Sequence, residues 1–303
     1  PYIIAFYLVL GILEDTGYLP RLAVLVDNVM HKVGLHGFSI IPMILGLGCN
    51  VPAALAVRSL ESRREKFIAS TLMAISVPCM SQIAMIIGLL GPFGGKYILY
   101  VFAILVFVWI IVGLILNKLL PGFSNDLLLE VPSFRIPDFI TVLKKLWMRV
   151  ISFLREAIPF MLFGVIVVNF LYTFGVFELM SKGIGPFINN IFGLPQEAVS
   201  ALLMGFLRKD LAMGLLAPLG LSAKQLVIAS TVLAVYFPCI ATFVVLIREL
   251  GIADMLKSVF IMLVTTIFVG GFVNFAFQDG GMTIAGWLIL IVTVLLIRYI
   301  PEK

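Results

Sequence analysis

Charge is scarce in this sequence. Asp, Glu, Lys and Arg make up 12% of its 303 residues, where a soluble domain carries about 25%. With 62% hydrophobic residues, that deficit excludes a soluble globule and leaves a polytopic membrane protein. Cysteine is also rare: Cys49, Cys79 and Cys239 lie in apolar stretches beside Gly or Pro, which excludes the disulfide framework of a secreted domain. There are two histidines. His31 and His36 are five apart, wrong for two ligands on one helical face, and read as structural. No Gly-x-x-x-x-Gly-Lys-[Ser/Thr] nucleotide loop occurs. Nor does any apolar run hold a histidine-paired nucleophile, so an intramembrane hydrolase has no support. The net charge of +5 resides in short loops beside apolar segments, where it sets orientation rather than binding nucleic acid. The chain shows no cleavable signal peptide and opens at Pro1 rather than Met, as expected of a piece of a longer polypeptide.

What the chain has in abundance is repetition. Residues 68–79, Ile-Ala-Ser-Thr-Leu-Met-Ala-Ile-Ser-Val-Pro-Cys, recur as residues 228–239, Ile-Ala-Ser-Thr-Val-Leu-Ala-Val-Tyr-Phe-Pro-Cys. Gly34-Leu35 and Gly46 likewise recur as Gly193-Leu194 and Gly205. A duplicated membrane unit with Pro-Cys inside an apolar helix follows. Proline removes a backbone donor and frees a carbonyl, tolerable in hydrocarbon only where the gap faces protein or a polar cavity. Secondary transporters often build their substrate sites from such broken helices in duplicated units.

Apolar runs predict spans near 2–13, 67–90, 97–119, 157–178, 226–247, 255–277 and 283–299, several long enough for a bilayer. Runs near 39–57 and 198–217 are interrupted, by Gly46-Leu47-Gly48-Cys49-Asn50-Val51-Pro52 and by Gly205-Phe206-Leu207-Arg208-Lys209-Asp210. Reading both as re-entrant hairpins gathers most of the 21 Lys and Arg on the side of residues 58–66, whereas two full crossings spread them more evenly. The positive-inside bias favours hairpins. It puts 58–66 inside and 218–226 outside, so the repeats are inverted. Between them, Leu143, Leu146, Trp147, Val150, Ile151 and Leu154 share one helical face, as in an interfacial helix. Glu14-Asp15 and Arg248-Glu249 lie at span ends and read as solvated loop charges.

Chemistry concentrates at the breaks. Glycines around Cys49 permit unwinding, and Pro52 blocks the regular ladder, exposing carbonyls beside a thiol and an amide. Cys79, Met80, Ser81 and Gln82 add donors from the first Pro motif, Cys239 and Thr242 from the second. One cysteine in an apolar helix is ordinarily packing, but all three fall at helix breaks. With Asn50 they offer a soft donor set suited to a late divalent metal such as ferrous iron. Arg208, Lys209 and Asp210 put three charges into an apolar run, costly in a membrane and expected to gate the cavity or cap a shallow hairpin tip.

Several motifs carry a resemblance. Leu13-Glu14-Asp15-Thr16-Gly17-Tyr18, Gly34-Leu35-His36-Gly37, Gly48-Cys49-Asn50-Val51-Pro52-Ala53 and Tyr236-Phe237-Pro238-Cys239-Ile240-Ala241-Thr242 closely resemble the membrane region of the FeoB family of prokaryotic ferrous-iron transporters. Many members carry Pro-Phe-Met-Ser-Cys in the first Pro motif. Here it reads Pro78-Cys79-Met80-Ser81-Gln82, with Gln82 in the usual cysteine column. The resemblance implies an all-α polytopic membrane protein with two inverted Gate-type repeats, re-entrant hairpins and Pro-broken helices. Its expected parts are a first Gate repeat at 1–119, a cytoplasmic connector with an interfacial helix at 120–156, a second Gate repeat at 157–277 and a C-terminal transmembrane helix at 278–303. It further implies a multi-pass, non-enzymatic permease of the prokaryotic cytoplasmic membrane. Fe(II) is then the transported substrate, and GTP and Mg act only through a GTPase domain outside this chain. Expected partners are that domain or a small accessory protein, and the lipid bilayer, with homo-oligomerisation open. The rival readings are a nucleoside or other organic-solute carrier and a non-transporting membrane scaffold.

Overall fold

A computed structural model describes residues 2–120, 137–174, 183, 185–186, 188–207, 209–278 and 281–282. Helix α1 (Tyr2–Asp15) and the amphipathic α2 (Tyr18–Lys32) precede a short pair, α3 (Ile40–Gly48) and α4 (Asn50–Ala56). A broken span follows, α5 (Arg63–Ser76) and α6 (Met80–Leu90), and α7 (Gly95–Leu119) closes the first unit. After α8 (Phe139–Thr173) the series repeats: a short pair, α9 (Glu197–Leu207) and α10 (Lys209–Leu216), then the broken span α11 (Ala223–Val235) and α12 (Ile240–Leu250), and finally α13 (Ile252–Ala276).

Local chemistry sets the same boundaries twice. Ser62 caps α5 by accepting from the Glu65 amide at 3.1 Å. Ser222 caps α11 by accepting from the Gln225 amide at 3.3 Å, while the Gln225 side chain accepts from the Ser222 amide at 3.1 Å. Such caps satisfy amides that the first helical turn leaves without partners. The spans end their first halves at Ser76 and Val235 because Pro78 and Pro238 have no N–H to continue the ladder.

The broken spans form the centre of the molecule. Every residue from Phe67 to Ser76 and from Leu226 to Val235 is buried, as expected for helices surrounded on all sides by protein. By contrast, α7 exposes Leu99, Val106 and Ile115, and α13 exposes Leu256, Phe260, Phe268 and Phe275. Among the described residues, four segments are long and apolar enough to cross a membrane: Arg63–Phe93, Gly95–Leu119, Ala223–Leu250 and Ile252–Ala276.

Contacts at the ends fix the topology. Arg64 donates to the Gly34 carbonyl at 3.1 Å, so the chain before α3 and the chain after α4 lie together. Gln225 reaches the Gly193 carbonyl at 3.3 Å, closing the second short pair in the same way. Both pairs are therefore re-entrant hairpins. Arg58 pairs with Glu249 at 2.6 Å and Arg63 with Asp254 at 2.9 Å, joining the start of the first broken span to the end of the second. The spans run in opposite directions, and the repeats are inverted. The arginines of these pairs are exposed, so each pair is worth under about 1 kcal/mol. Their information is positional.

Two expectations change. The connector's amphipathic stretch and the span after it are not separate: α8 is one 35-residue helix containing Pro159. Pro159 costs it only one ladder bond, to the Arg155 carbonyl. Val142 and Leu146 are buried while Leu143 and Trp147 are exposed, because α8 packs on α1, with Val142 against Gly11. Glu14 and Asp15 are not plain solvated charges, since Arg149 meets Glu14 at 2.6 Å and Lys145 meets Asp15 at 3.2 Å. Glu249 is likewise held, by Arg58. The all-α class holds; a two-residue antiparallel pairing of Phe277–Gln278 with Gly281–Met282 is the small exception among the described residues. The span expected at 283–299 lies outside the described residues.

Candidate functional site

All three cysteines occupy the same structural position, the N-cap of the second half of a broken element. Cys49 caps α4, Cys79 caps α6 and Cys239 caps α12, each with extended backbone between two helical segments. All are free thiols and partly buried. Cys49 lies within electrostatic range of both Cys79 and Cys239. The first hairpin and the two broken spans thus carry thiols that are up to 190 residues apart in the sequence to within electrostatic range of Cys49.

Side chains around them differ in what they contribute. The Cys79 thiol meets Ser81 Oγ at 3.2 Å, and the Cys239 thiol meets Thr242 Oγ1 at 3.2 Å. Thr242 is fully buried, whereas Met80 and Ser81 are exposed. Asn50 is buried, and its Oδ1 has no hydrogen-bond partner among the described residues. The same is true of Ser76 Oγ beside the first break. Buried oxygens without partners are costly in a packed core, and they suit a path for a polar solute. Gln82 has another task. Its Oε1 accepts from the Cys79 amide at 2.8 Å, and its Nε2 reaches the Leu233 and Ala234 carbonyls at 3.4 Å. The amide caps α6 and ties the first span to the second.

Of the three charges in the second hairpin, Lys209 begins α10 just past the break. It is 4% exposed, and its Nζ has no hydrogen-bond partner among the described residues. It lies within electrostatic range of Cys79 and Cys239. Arg208 and the side chain of Asp210 lie outside the described residues. Tyr7 of α1 is buried within electrostatic range of Cys49, and Phe6 packs its ring on Gly48, where any side chain would collide with it.

Sequence reasoning missed a matched pair of clamps. Asn117 of α7 donates to the Lys32 carbonyl at 2.9 Å, and Asn274 of α13 donates to the Ile191 carbonyl at 3.0 Å. One turn earlier, Gly113 makes room for Val33 and Gly270 for Phe192. The available signal was Gly-x-x-x-Asn, present once in each closing helix.

Together these features define a class of membrane protein: an inverted-repeat bundle whose broken helices carry cysteines and unpaired polar groups at their breaks. The Gate family profile, described as "Nucleoside recognition", matches residues 1–93 and 154–253. Between them, the profile "Ferrous iron transport protein B C terminus" matches residues 97–149. The chain belongs to the ferrous iron transport protein B (FeoB) family. A protein of Methanocaldococcus jannaschii named "Fe(2+) transporter FeoB" is 32% identical over 83% of this chain and 43% of its own length. Proteins of the same name from Staphylococcus aureus and Helicobacter pylori are 28% and 33% identical, over 69% and 56% of this chain and 34% and 27% of their own lengths. The chain thus spans less than half of each of these relatives. No solved structure is a significant match.

Proposed function

We propose that this chain is the membrane passage of a ferrous-iron importer, with Fe(II) as its substrate. The observation that carries the reading is the convergence of Cys49, Cys79 and Cys239 at three helix breaks inside an inverted-repeat bundle. Thiols backed by Asn50, Thr242 and Ser81 form a soft, weakly committed donor set, which lets a borderline divalent ion enter and leave. Met80 is a flexible thioether at the mouth of the same break. Lys209, with Arg208 and Asp210 beside it, serves as the counter-charge that an arriving dication must displace. This role is transport, not catalysis. GTP and Mg act through a separate GTPase domain, which with a small accessory protein controls the passage from the cytoplasmic side of the inner membrane. Residues 1–119 and 157–277 act as the two Gate units and 120–156 as the link.

A nucleoside carrier is the reading that the Gate description favours. Such a substrate calls for stacking aromatics and paired hydrogen-bonding groups. Tyr236 and Phe237 stand at the second break but pack edge-on against each other, centroids 4.6 Å apart, and the donors at the breaks are thiols, hydroxyls and an amide. Uptake of radioactive Fe(II) and of a nucleoside into proteoliposomes, with and without the GTPase domain, tests both. Iron uptake that falls when Cys49, Cys79 and Cys239 are changed to serine supports the passage. Nucleoside uptake without iron uptake overturns it, and uptake of neither solute supports a scaffold.

A further inference from the structure

We propose that Asp27, His31 and His36 form a divalent transition-metal site on the membrane face that carries residues 58–66, separate from the cysteine cluster. The five-residue spacing of the histidines puts them on different faces of a continuous helix, but the helix does not continue. Helix α2 ends at Lys32, and Gly34 adopts a left-handed φ of 78°. The Leu35 amide folds back to the Met30 carbonyl at 3.0 Å. His36 therefore returns beside His31, with ring centroids 5.3 Å apart and edge-on. One ligand atom from each of Asp27, His31 and His36 lies within 4.8 Å of the others.

Each of these side chains is held from behind, as metal ligands are. His31 Nδ1 meets the Leu35 carbonyl at 3.1 Å, while its Nε2 faces Asp27 Oδ2 at 3.5 Å. His36 Nε2 is paired with buried Glu65 at 3.1 Å, leaving Nδ1 as its ligating nitrogen. Asp27 Oδ1 accepts from the Gly37 amide at 2.7 Å, leaving Oδ2. Asp27 and His31 are partly exposed, so an ion can reach the site from water. Two imidazoles and one carboxylate suit a late first-row dication and leave coordination positions for water.

The fold does not require these residues. The second repeat makes the same turn at Gly193, φ 65°, yet the matching positions hold Pro186, Asn190 and Pro195, with Gln225 in place of Glu65. Among the described residues, such a group is found only next to the entrance of the first hairpin. That ferrous iron pauses there rests on the transport reading. The site itself does not.

The test is an anaerobic Co(II) titration of the full chain, purified without a histidine tag and with Cys49, Cys79 and Cys239 changed to serine. About one Co(II) per chain is expected, with ligand-field absorption and no sulfur-to-cobalt charge transfer. His31→Gln and Asp27→Asn, both at partly exposed positions, should each weaken it at least tenfold without altering thermal unfolding. Should the serine variant fold poorly, the same loss is read in the cysteine-containing chain as a component lacking charge transfer. A folded chain that binds no Co(II) without its cysteines, or binds it unchanged in both variants, overturns the proposal. Failure of Fe(II) uptake in the liposome assay leaves this result untouched, so the two readings fail separately.

Discussion

Asn117 donates to the Lys32 carbonyl at 2.9 Å and accepts from Arg64 at 2.6 Å, pinning the turn before the first hairpin to the closing helix. Its counterpart Asn274 holds Ile191 on the other side of the bundle but has no arginine beside it, because Lys224 occupies the position corresponding to Arg64. Asn117→Ala removes the Lys32 bond and the only side-chain acceptor of Arg64 among the described residues, so it should destabilise the chain by about 1–3 kcal/mol. Asn274→Ala should cost about 1 kcal/mol. Denaturant unfolding in detergent, comparing the two variants, checks the order. Equal costs would mean that Arg64 adds nothing to the clamp.

The inverted arrangement predicts a labelling pattern. Glu61 lies on the face joined by the Arg58–Glu249 and Arg63–Asp254 pairs, and Lys224 lies on the face of Gly193. Cysteines introduced at these two positions should react with an impermeant maleimide from opposite sides of sealed vesicles, with 61 on the cytoplasmic side. Labelling from one side alone would contradict the antiparallel spans.

The duplicated Pro-Cys motif and the two hairpins were legible in the sequence because proline, glycine and charge act through local backbone rules and orientation bias. Helix ends were also legible, and the breaks at Cys49, Cys79 and Cys239 fall at capping positions. Partnerships between distant segments were not. Glu14 and Asp15 looked solvated until α8 crossed α1, and nothing local showed that the Gln82 amide meets Leu233 and Ala234. The nearness of His31 and His36, with ring centroids 5.3 Å apart, was hidden for a local reason. Periodicity assumes that a helix continues, and Gly34 ends it.

Gln82 offers a direct test of the tie between the repeats. Gln82→Ala removes the acceptor of the Cys79 amide and the donor to two carbonyls of α11, all buried or partly buried. A loss of about 1–3 kcal/mol is expected. Gln82→Met fills the volume and isolates the polar contribution. If Gln82→Met is as stable as the parent, the amide bonds carry no net stability and the tie is only packing.

Lys209 is the residue at which stability and function should separate. Its amine is buried with no hydrogen-bond partner among the described residues, an arrangement that costs at least about 1–3 kcal/mol, the figure for a neutral polar group. A fold selected for stability alone would place methionine there, with a similar stem and no charge to bury. Lys209→Met should therefore stabilise the folded chain by about that amount, measured as a rise in the unfolding midpoint. The same change removes the resident positive charge that lies within electrostatic range of Cys79 and Cys239. Under the proposed passage this charge holds the site until a dication displaces it, so Fe(II) flux through liposomes should lose its dependence on gating while the protein becomes harder to unfold. A fall in stability would show that the amine has a strong partner, and unchanged flux with raised stability would remove Lys209 from the passage.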